Sequence, residues 1–324
     1  MQLIIIPESL VRSIATLDLA FMAVARAFEA VALEEAQLMP VVFADGGQAG
    51  SSFGVKGATH LQAQLLGLKV GSYFPDNRQH GVPSHGSTTL LLNAETGLPH
   101  ALISAGYLNG LRTAAANAIA VDYLARQDAK VLGVLGAGHQ AEFEIRAVAH
   151  RRPLDAIKIW NRSPENAEDL RNRLQDLSVE VLLVPTRRDA VVESDIITTV
   201  TPSRQPLVER DWVRAGTHIS AMGADMIGKQ ELDPELATVS ACFADLPEQS
   251  IRIGEFQHAA KAALISADDI TPLGKVIQGH HPGRASNQEI TVFDSSGIAP
   301  QDLHVAAAVV AEASAQGVAI TMDF

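Results

Sequence analysis

From residue 130 onward, short runs of β-branched and other apolar residues alternate with segments whose apolar residues recur at helical spacing. In the segment 138–150, for example, Ala141, Ile145 and Val148 fall on one face of a helix. The apolar runs are VLGVL (131–135), IKIW (157–160), VEVLLV (179–184), DIITTV (195–200), THISAM (217–222), TVSACFA (238–244) and EITVFD (289–294). Such strands, separated by helices or short turns, are typical of a doubly wound parallel sheet with helices on both faces.

The N-terminal part of the chain shows a different pattern. A helix is predicted from about Thr16 to Glu35, where apolar residues again recur at helical spacing. It is followed by extended segments punctuated by glycine, namely FGVKGATHL, GLKVGSYF, STTLLLN and HALISAGYL. Turns at such close intervals indicate an antiparallel sheet and therefore a second domain of the α+β class.

Three further elements set the expected domain boundaries. A helix at 111–126 is expected to connect the two domains, and a closing helix is predicted at about 301–316. The last segment, VAITMDF, is predicted to be a strand that returns to the N-terminal domain. We accordingly assign residues 1–115 and 317–324 to a substrate-binding and dimerisation domain, and residues 116–316 to the α/β domain.

The first apolar run of the α/β domain leads into GAGHQA, which fits G-x-G-x-x-A with Gly136, Gly138 and Ala141. In a dinucleotide-binding turn these residues allow a tight bend, close approach of a pyrophosphate, and close packing of helix on strand. The N–H groups at the start of the helix attract the phosphates. The motif alone would also match a simple turn. Because it follows a strand and opens a helix, we predict a Rossmann-type NAD(P)-binding domain.

The segment after the second strand bears on the choice of cofactor. An acidic residue expected there in NAD-binding domains is replaced by Asn161, Arg162 and Ser163. An arginine beside a hydroxyl can bind the 2′-phosphate of NADP, which a carboxylate would repel. The alternative is that Arg162 is a solvated loop residue and Asn161 is sufficient for NADH. We expect NAD(P)H, with NADPH slightly favoured over NADH.

Charged and hydroxyl residues also follow other predicted strands. Asp225 and Lys229 come after the strand THISAM, and Ser295 and Ser296 follow the strand ITVF. Ligands bind in such sheets beyond the carboxyl ends of the strands, which favours a functional role for Asp225. Three basic residues are further candidates, although each could face solvent instead: Arg112 at a helix start, and Lys56 and Lys69 within extended segments.

Composition narrows the class of protein. The chain of 324 residues is 47% hydrophobic and 19% charged, which allows two globular domains without disorder. A net charge of −12, without a long Lys/Arg-rich run, argues against nucleic-acid binding. The histidines lack HxH and HExxH spacing, so no metal site is expected. The single cysteine, Cys242, and the lack of a long apolar or signal-like segment favour a cytoplasmic protein without membrane contact.

Taken together, six segments make the chain resemble the ornithine cyclodeaminase/mu-crystallin family. They are GLKVGSYFPDN, GVPSHGSTTLLLNAETGLP, LNGLRTAAANAIAVDYLAR, VLGAGHQAEFE, GADMIGKQELDPEL and VIQGHHPGRASNQEITVFDSSGIAPQDL. They stand in family order and cover most of residues 54–303, and their combination is specific. The resemblance implies homodimers of two-domain subunits with a Rossmann domain for NAD(H) or NADP(H). Family activities include ornithine cyclodeamination, alanine dehydrogenation and reduction of ketimines, pyrroline-2-carboxylate or iminosuccinate, while mu-crystallins also bind thyroid hormone.

The resemblance implies roles for individual residues. Lys69 and Arg112 match the pair that binds the substrate α-carboxylate, and Asp225 matches the acid/base beside the reacting nitrogen, so that Asp225 and Lys69 are the candidate catalytic residues. Positions near the cofactor are matched by Ser84, Thr113, Gln140, Ala141, Asn161, Thr201, Met222, Gly223, Lys229 and Ser295. To these we add Arg112, Gly136, Gly138, Arg162 and Ser163 for the cofactor, and Lys56 and Ser296 for the substrate.

Two departures from the ornithine cyclodeaminases influence the predicted reaction. Those enzymes have an arginine where this chain has Val41, and an aspartate where it has Asn161. Lys56 could supply the missing charge and, with Arg78 or Arg284, would suit a dicarboxylate such as iminosuccinate.

We therefore predict an NAD(P)-dependent imine reductase or amino-acid dehydrogenase that acts on a small α-imino or α-amino acid. An ornithine cyclodeaminase, which forms proline and ammonia with catalytic NAD, is the alternative, because it shares the Asp225/Lys229 pair. A mu-crystallin-like ligand-binding protein is a second alternative, against which Asp225 argues.

Overall fold

The computed structural model describes residues 2–324, except for the side chain of Arg78. The chain divides into two compact units. The first unit contains the residues up to Arg112 together with Ile298–Phe324, and the second contains Thr113–Gly297. No helix among the described residues is long and apolar enough to cross a membrane.

The elements are numbered along the chain. The strands are β1 Gln2–Ile6, β2 Ala36–Leu38, β3 Val42–Asp45, β4 Ser52–His60, β5 Leu65–Tyr73, β6 His85–Leu92, β7 Pro99–Ser104, β8 Val131–Leu135, β9 Ala156–Trp160, β10 Glu180–Leu183, β11 Ile196–Thr199, β12 Arg204–Val208, β13 His218–Ala221, β14 Gln230–Leu232, β15 Ser240–Ala244, β16 Ile270–Pro272, β17 Ile290–Asp294 and β18 Ile320–Asp323. The helices are α1 Glu8–Ile14, α2 Leu17–Ala32, α3 Gly106–Leu124, α4 His139–Arg151, α5 Pro164–Arg173, α6 Arg187–Val191, α7 Leu236–Val239, α8 Pro247–Ile253, α9 Gln257–Lys261, α10 Leu273–Ile277 and α11 Ala299–Ala315.

The second unit contains the predicted parallel sheet. Its strand order is β10-β9-β8-β11-β13-β17-β15-β16, and every pairing in it is parallel. Leu132, Val134, Ile157, Ile196 and Ile197 are fully buried, as expected for strands covered on both faces. The strand order reverses between β8 and β11, which defines the switch point at which such sheets bind ligands. The fold is therefore the predicted Rossmann-type α/β fold.

The first unit contains a largely antiparallel sheet of order β18-β1-β7-β6-β5-β4-β2, with β3 also paired to β4. The exception is the parallel pair β1–β7. The closing strand β18 pairs with β1, which confirms that the chain end returns to the N-terminal part of the fold. Helix α11 packs against α2 and against β5. These two layers bury Ala20, Val24, Phe28, Leu303 and Val309.

The boundaries of several elements differ from the sequence prediction. Strand β1 and helix α1 were not predicted, and α3 begins at Gly106 rather than at residue 111. The sequence prediction places the closing helix in the α/β domain, within residues 116–316. In the structure it belongs to the first unit, since Leu303, Val305 and Ala306 are buried in a helix that packs on α2 and β5. Its amphipathic pattern specifies burial, but it does not specify which sheet covers it.

Candidate functional site

Within the first unit, Lys69 and Arg112 lie side by side and share two partners, Asn109 and Asp302. Lys69 extends from β5, and its Nζ donates to Asp302 Oδ1 at 2.9 Å and to Asn109 Oδ1 at 3.0 Å. Arg112 extends from α3; its Nη2 donates to the same Asn109 oxygen at 2.8 Å, and its Nε lies 3.0 Å from Asp302 Oδ1. Lys69 and Arg112 are each only 7% exposed. Two buried cations are thus held together by one amide and one carboxylate.

Both cations retain donors for a further anion. Two of the three ammonium hydrogens of Lys69 are accounted for by Asp302 and Asn109. Arg112 Nη1 donates to Gln301 Oε1 at 3.3 Å and Nη2 donates to Asn109, so two of its five N–H groups are hydrogen-bonded, while Nε lies close to Asp302 Oδ1 without a hydrogen bond to it. The remaining hydrogens of both side chains have no acceptor among the described residues. A carboxylate is the ligand whose geometry matches such a donor set.

Lys56 adds a third positive charge to this cluster. It pairs in register with Lys69 across β4 and β5, so the two side chains leave the same face of the sheet. Burial, together with the positive charges of Arg112 and Lys56, lowers the pKa of Lys69 to about 8, although the attraction to Asp302 opposes this shift. Burial raises the pKa of Asp302, but attraction to Lys69 and Arg112 leaves it below its ordinary value. The cluster is therefore strongly cationic apart from one ionised carboxylate.

The second unit contains the predicted dinucleotide turn. Gly136 follows β8 with φ +121°, and a Cβ there would lie 2.7 Å from the carbonyl oxygen of Val200, so only glycine fits. A Cβ on Gly138 would meet nothing within 4 Å, and Gly138 is the N-cap of α4, where a glycine has no side chain that could cap the helix. Ala141 is fully buried, which allows α4 to pack close to the sheet. These residues fit a bound pyrophosphate, because the backbone conformation at Gly136 requires glycine and open space lies in front of the first residues of the helix.

Residues after β9 complete this turn. Asn161 accepts a hydrogen bond from the Ala137 backbone N–H at 3.2 Å and donates to the Ser163 carbonyl at 2.9 Å. It therefore braces the glycine turn in addition to any contact with a cofactor. Ser163 is the N-cap of α5, and its hydroxyl donates to the Glu165 carboxylate at 2.8 Å. Arg162 is exposed.

The loops that follow β11 and β13 are joined by Glu231 of β14. Its Oε1 accepts from the Thr201 N–H at 2.6 Å and the Thr201 hydroxyl at 2.7 Å. Its Oε2 accepts from the Gly223 N–H at 2.9 Å and the Thr199 hydroxyl at 2.8 Å. Glu231 is fully buried, so one carboxylate fixes two loops that carry predicted cofactor residues.

Asp225 lies between β13 and β14 with its side chain 53% exposed. Lys229 Nζ donates to Asp225 Oδ1 at 2.5 Å and to the Gly223 carbonyl at 3.2 Å. Met222, directly after β13, is almost buried. The carboxylate is thus held by a cation in a position that remains accessible, which suits a group that exchanges a proton with a ligand.

Ser295 and Ser296 follow β17 and are tied to Asp245. Each hydroxyl lies 3.3 Å from an Asp245 carboxylate oxygen, and the Gly297 N–H donates to the same carboxylate at 2.7 Å. The predicted residues Gly136, Asn161, Thr201, Met222 and Ser295 therefore follow the carboxyl ends of five parallel strands, at one edge of the sheet.

Other predicted residues have structural partners. Gln140 in α4 donates to Glu144 at 2.6 Å, Thr113 in α3 is 9% exposed, and Ser84 before β6 donates weakly to the Pro75 carbonyl at 3.4 Å. Arg284 donates to the carbonyls of Leu124, Thr217, Ser286 and Glu289 and to the Thr291 hydroxyl, so it braces the backbone of the second unit. Arg78 falls outside the described side chains. No group of three metal-ligating side chains occurs among the described residues.

Sequence reasoning missed Asn109, Gln301, Asp302 and Glu231. Their roles depend on contacts between elements far apart in the chain, such as Lys69 with Asp302. Glu231 could have been identified as a candidate site residue from its sequence position, because it lies within the segment GADMIGKQEL, two residues after Lys229. Asp302 gave no such signal because an aspartate near a helix start is an ordinary stabilising residue.

The parallel sheet with its glycine turn defines a Rossmann-type dinucleotide-binding protein that carries an additional α+β unit. A sequence model of the ornithine cyclodeaminase/mu-crystallin family matches residues 7–317. The chain belongs to this family.

Three relatives illustrate the range of similarity. The chain is 40% identical over 317 residues to the iminosuccinate reductase of Paracoccus denitrificans, covering 98% of each chain. The structure of that enzyme in complex with NAD⁺ aligns with TM-score 0.95 at 38% identity over 100% of both chains. An archaeal alanine dehydrogenase dimer with bound NAD aligns with TM-score 0.93 at 34% identity over 100% of both chains. The Thermococcus litoralis Δ¹-pyrroline-2-carboxylate reductase with NADH and L-proline aligns with TM-score 0.91 at 28% identity, covering 98% and 99%.

Proposed function

We propose that this protein reduces a small α-imino acid to the α-amino acid with a nicotinamide cofactor as hydride donor, and catalyses the reverse dehydrogenation. The observation that carries the proposal is the buried Lys69–Arg112 pair, whose remaining donors match a carboxylate. The dinucleotide turn and membership of a family that includes NAD-bound imino-acid reductases support it.

Each group has a defined task in this reaction. Lys69 and Arg112 bind the substrate α-carboxylate and so fix the orientation of the adjacent carbon and nitrogen. Asp225 donates a proton to, or accepts one from, the substrate nitrogen, a role that contributes about 10²- to 10⁴-fold in rate. The Gly136–Gly138 turn and the start of α4 bind the pyrophosphate of the cofactor. The bound nicotinamide supplies the hydride.

An assay of imine formation and reduction tests the proposal directly. Mixtures of ammonia or methylamine with glyoxylate, pyruvate or oxaloacetate would be followed by nicotinamide absorbance with NADH and with NADPH. Ornithine would be assayed separately for proline and ammonia, since cyclodeamination causes no net absorbance change. Tight cofactor binding without turnover of any imino acid would contradict the proposal and favour a ligand-binding protein.

Within this substrate class we propose a dicarboxylate such as iminosuccinate. Lys56 stands beside the carboxylate-binding pair, so a second carboxylate on the substrate would meet a positive charge. The distal ammonium of ornithine would be repelled at the same place, which disfavours cyclodeamination. The 40% identity to an iminosuccinate reductase is consistent with this choice.

We propose that NADPH is slightly preferred over NADH. The support is the neutral Asn161 where an acidic residue would repel a 2′-phosphate, followed by an exposed Arg162. The relatives described above hold NAD⁺ or NADH, and the Glu165 carboxylate beside Ser163 opposes a second anion. The ratio of kcat/KM for the two cofactors tests this preference, and a ratio in favour of NADH would overturn it.

We propose a homodimer formed through the first unit. Val42 of β3 and Phe53 of β4 share one face of this strand pair and are 60% and 42% exposed, and Phe43 on the opposite face is 50% exposed, so both faces carry apolar surface that a partner subunit would cover. The similar alanine dehydrogenase is a dimer. Light scattering would give the mass in solution, and Phe43→Glu is expected to produce monomers. A monomeric wild-type protein would contradict the proposal.

A further inference from the structure

Asp302 connects the two cations that we assign to the substrate carboxylate. A single oxygen, Oδ1, lies 2.9 Å from Lys69 Nζ and 3.0 Å from Arg112 Nε, and the Asp302 side chain is only 4% exposed. The three residues come from β5, α3 and α11, so no local element holds the cations together. Asn109 provides the second bridge, but its amide is neutral.

The other carboxylate oxygen strengthens the case for a specific role. Asp302 Oδ2 is buried and has no hydrogen-bond partner among the described residues. Burying a carboxylate oxygen in this way is costly, and a functional constraint is one reason why such a group persists. Its two cationic neighbours, rather than a full set of hydrogen bonds, hold this carboxylate in place.

The charged groups that face Lys69 explain what the carboxylate does. They are Asp302 on α11, Arg112 on α3 and Lys56 on β4, while the neighbouring residue on β6 is the uncharged Thr89. Burial and the two cations favour loss of the Lys69 proton, and only Asp302 among these groups opposes that loss. Without Asp302, two or three like charges would be left facing one another.

We propose that Asp302 is a positioning residue: it keeps the Lys69 ammonium charged and the Arg112 guanidinium oriented for the substrate carboxylate, without contacting the substrate. This inference rests on the proposed function. Through Asp302, helix α11 would influence substrate binding indirectly, by way of Lys69 and Arg112.

The substitution Asp302→Asn tests the inference because it removes the charge and keeps the shape. In a plot of kcat/KM against pH, activity is expected to fall on the alkaline side as Lys69 loses its proton; we call this fall the basic limb. In Asp302→Asn the basic limb is expected to move to lower pH by about one unit or more. At pH 8 the KM for the imino acid should rise at least about fivefold, as a one-unit shift from a pKa of about 8 implies, with a smaller change in kcat and an unchanged Kd for the cofactor. Asp302→Glu, which keeps the charge, should restore most of the basic limb.

A matched control is available in the second unit. Asp195 also bridges two cations, with Oδ1 2.6 Å from Arg126 and 2.7 Å from Arg214. Asp195→Asn removes a carboxylate that likewise bridges two cations but is distant in sequence from Lys69 and Arg112. The basic limb should therefore remain at the pH of the wild type. If Asp302→Asn leaves the limb unmoved, or if both substitutions move it equally, Asp302 has no specific positioning role.

A titration of Lys69 separates this inference from the proposed reaction. Lysines labelled with ¹³C-methyl groups would be titrated by NMR, with the Lys69 signal assigned from Lys69→Arg. A lower midpoint in Asp302→Asn supports the inference even if no imino acid is reduced, a result that would contradict only the proposed function. Reduction with an unchanged midpoint would overturn the inference alone. A midpoint below pH 7 in the wild type would also overturn it, whether or not the variants fold.

Discussion

Lys56 on β4 lies directly opposite Lys69 on β5, so two ammonium groups leave the sheet on the same face. Like charges opposite each other in a sheet are destabilising, and here the second charge contributes to the lowered pKa of Lys69. Such an arrangement is expected where the protein must bind an anion rather than where it only needs stability. Substitution of Lys56 therefore tests most directly whether the substrate has a second carboxylate.

Replacing Lys56 by Met should discriminate between substrates. A charge-assisted hydrogen bond to the distal carboxylate is worth about 1.5–3 kcal/mol, which predicts a loss of about 10- to 100-fold in kcat/KM for iminosuccinate. The loss should be much smaller for the imine of pyruvate, which has no second carboxylate. Steady-state rates with both substrates check this. Equal losses for the two would show that Lys56 does not contact the distal group.

Arg112→Lys keeps the charge but removes the planar fork that matches a carboxylate. We expect kcat/KM to fall by about 100-fold, in line with the loss of one charge-assisted hydrogen bond and its orientation. The exposed Arg210 serves as a control, because Arg210→Lys should leave the rate unchanged. An effect of less than about threefold at position 112 would argue against its assignment to the carboxylate.

The activity should depend on pH through Lys69, whose pKa is lowered to about 8. Only the protonated ammonium binds a carboxylate, so substrate binding is complete below this pKa and is lost as the pH rises through it. The basic limb of kcat/KM is therefore expected near pH 8. In Lys69→Arg the limb should disappear from this range, because a guanidinium stays protonated. A limb that persists unchanged in this variant would have to arise from another group.

The two turn glycines are predicted to respond differently to alanine. At Gly136 the φ of +121° and the 2.7 Å approach to the Val200 carbonyl make Gly136→Ala destabilising by about 1–3 kcal/mol or more. At Gly138 a Cβ meets nothing within 4 Å, so Gly138→Ala should leave the melting temperature nearly unchanged. It should nevertheless raise the Kd for the cofactor at least tenfold, because the methyl group occupies the space of the pyrophosphate. Unaltered cofactor affinity in Gly138→Ala would contradict the assignment of this turn.

The sequence predicted the elements whose pattern is local. The strand before Gly136, the glycine turn and α4 form one contiguous segment, and each part of it has a physical signature that neighbouring residues alone provide. The parallel sheet could also be predicted from the sequence, because its strands are buried on both faces and are therefore continuously apolar.

Long-range placement could not be predicted in the same way. The pattern of α11 shows that it is buried, but the choice between the two sheets depends on packing between residues far apart in the sequence. For the same reason the roles of Asp302 and Glu231 could not be predicted, since both residues act through partners in other elements. Strand β1 was missed because its apolar run stands outside the regular alternation of strands and helices that identified the equally short β8 and β9.

Asp225→Asn is the decisive substitution for the proton-transfer step. The side chain is half exposed and is held by Lys229 at 2.5 Å, so the amide should keep the local structure while removing the group that exchanges a proton. We expect kcat to fall by about 10²- to 10⁴-fold, with the Kd for the cofactor unchanged. The exposed Asp268, which lies in a turn before β16, provides a control, and Asp268→Asn should have wild-type activity. A rate in Asp225→Asn within threefold of the wild type would assign the proton transfer to another group or to water. Because the cofactor binds equally in either case, this outcome would revise the mechanism without affecting the assignment of the dinucleotide turn.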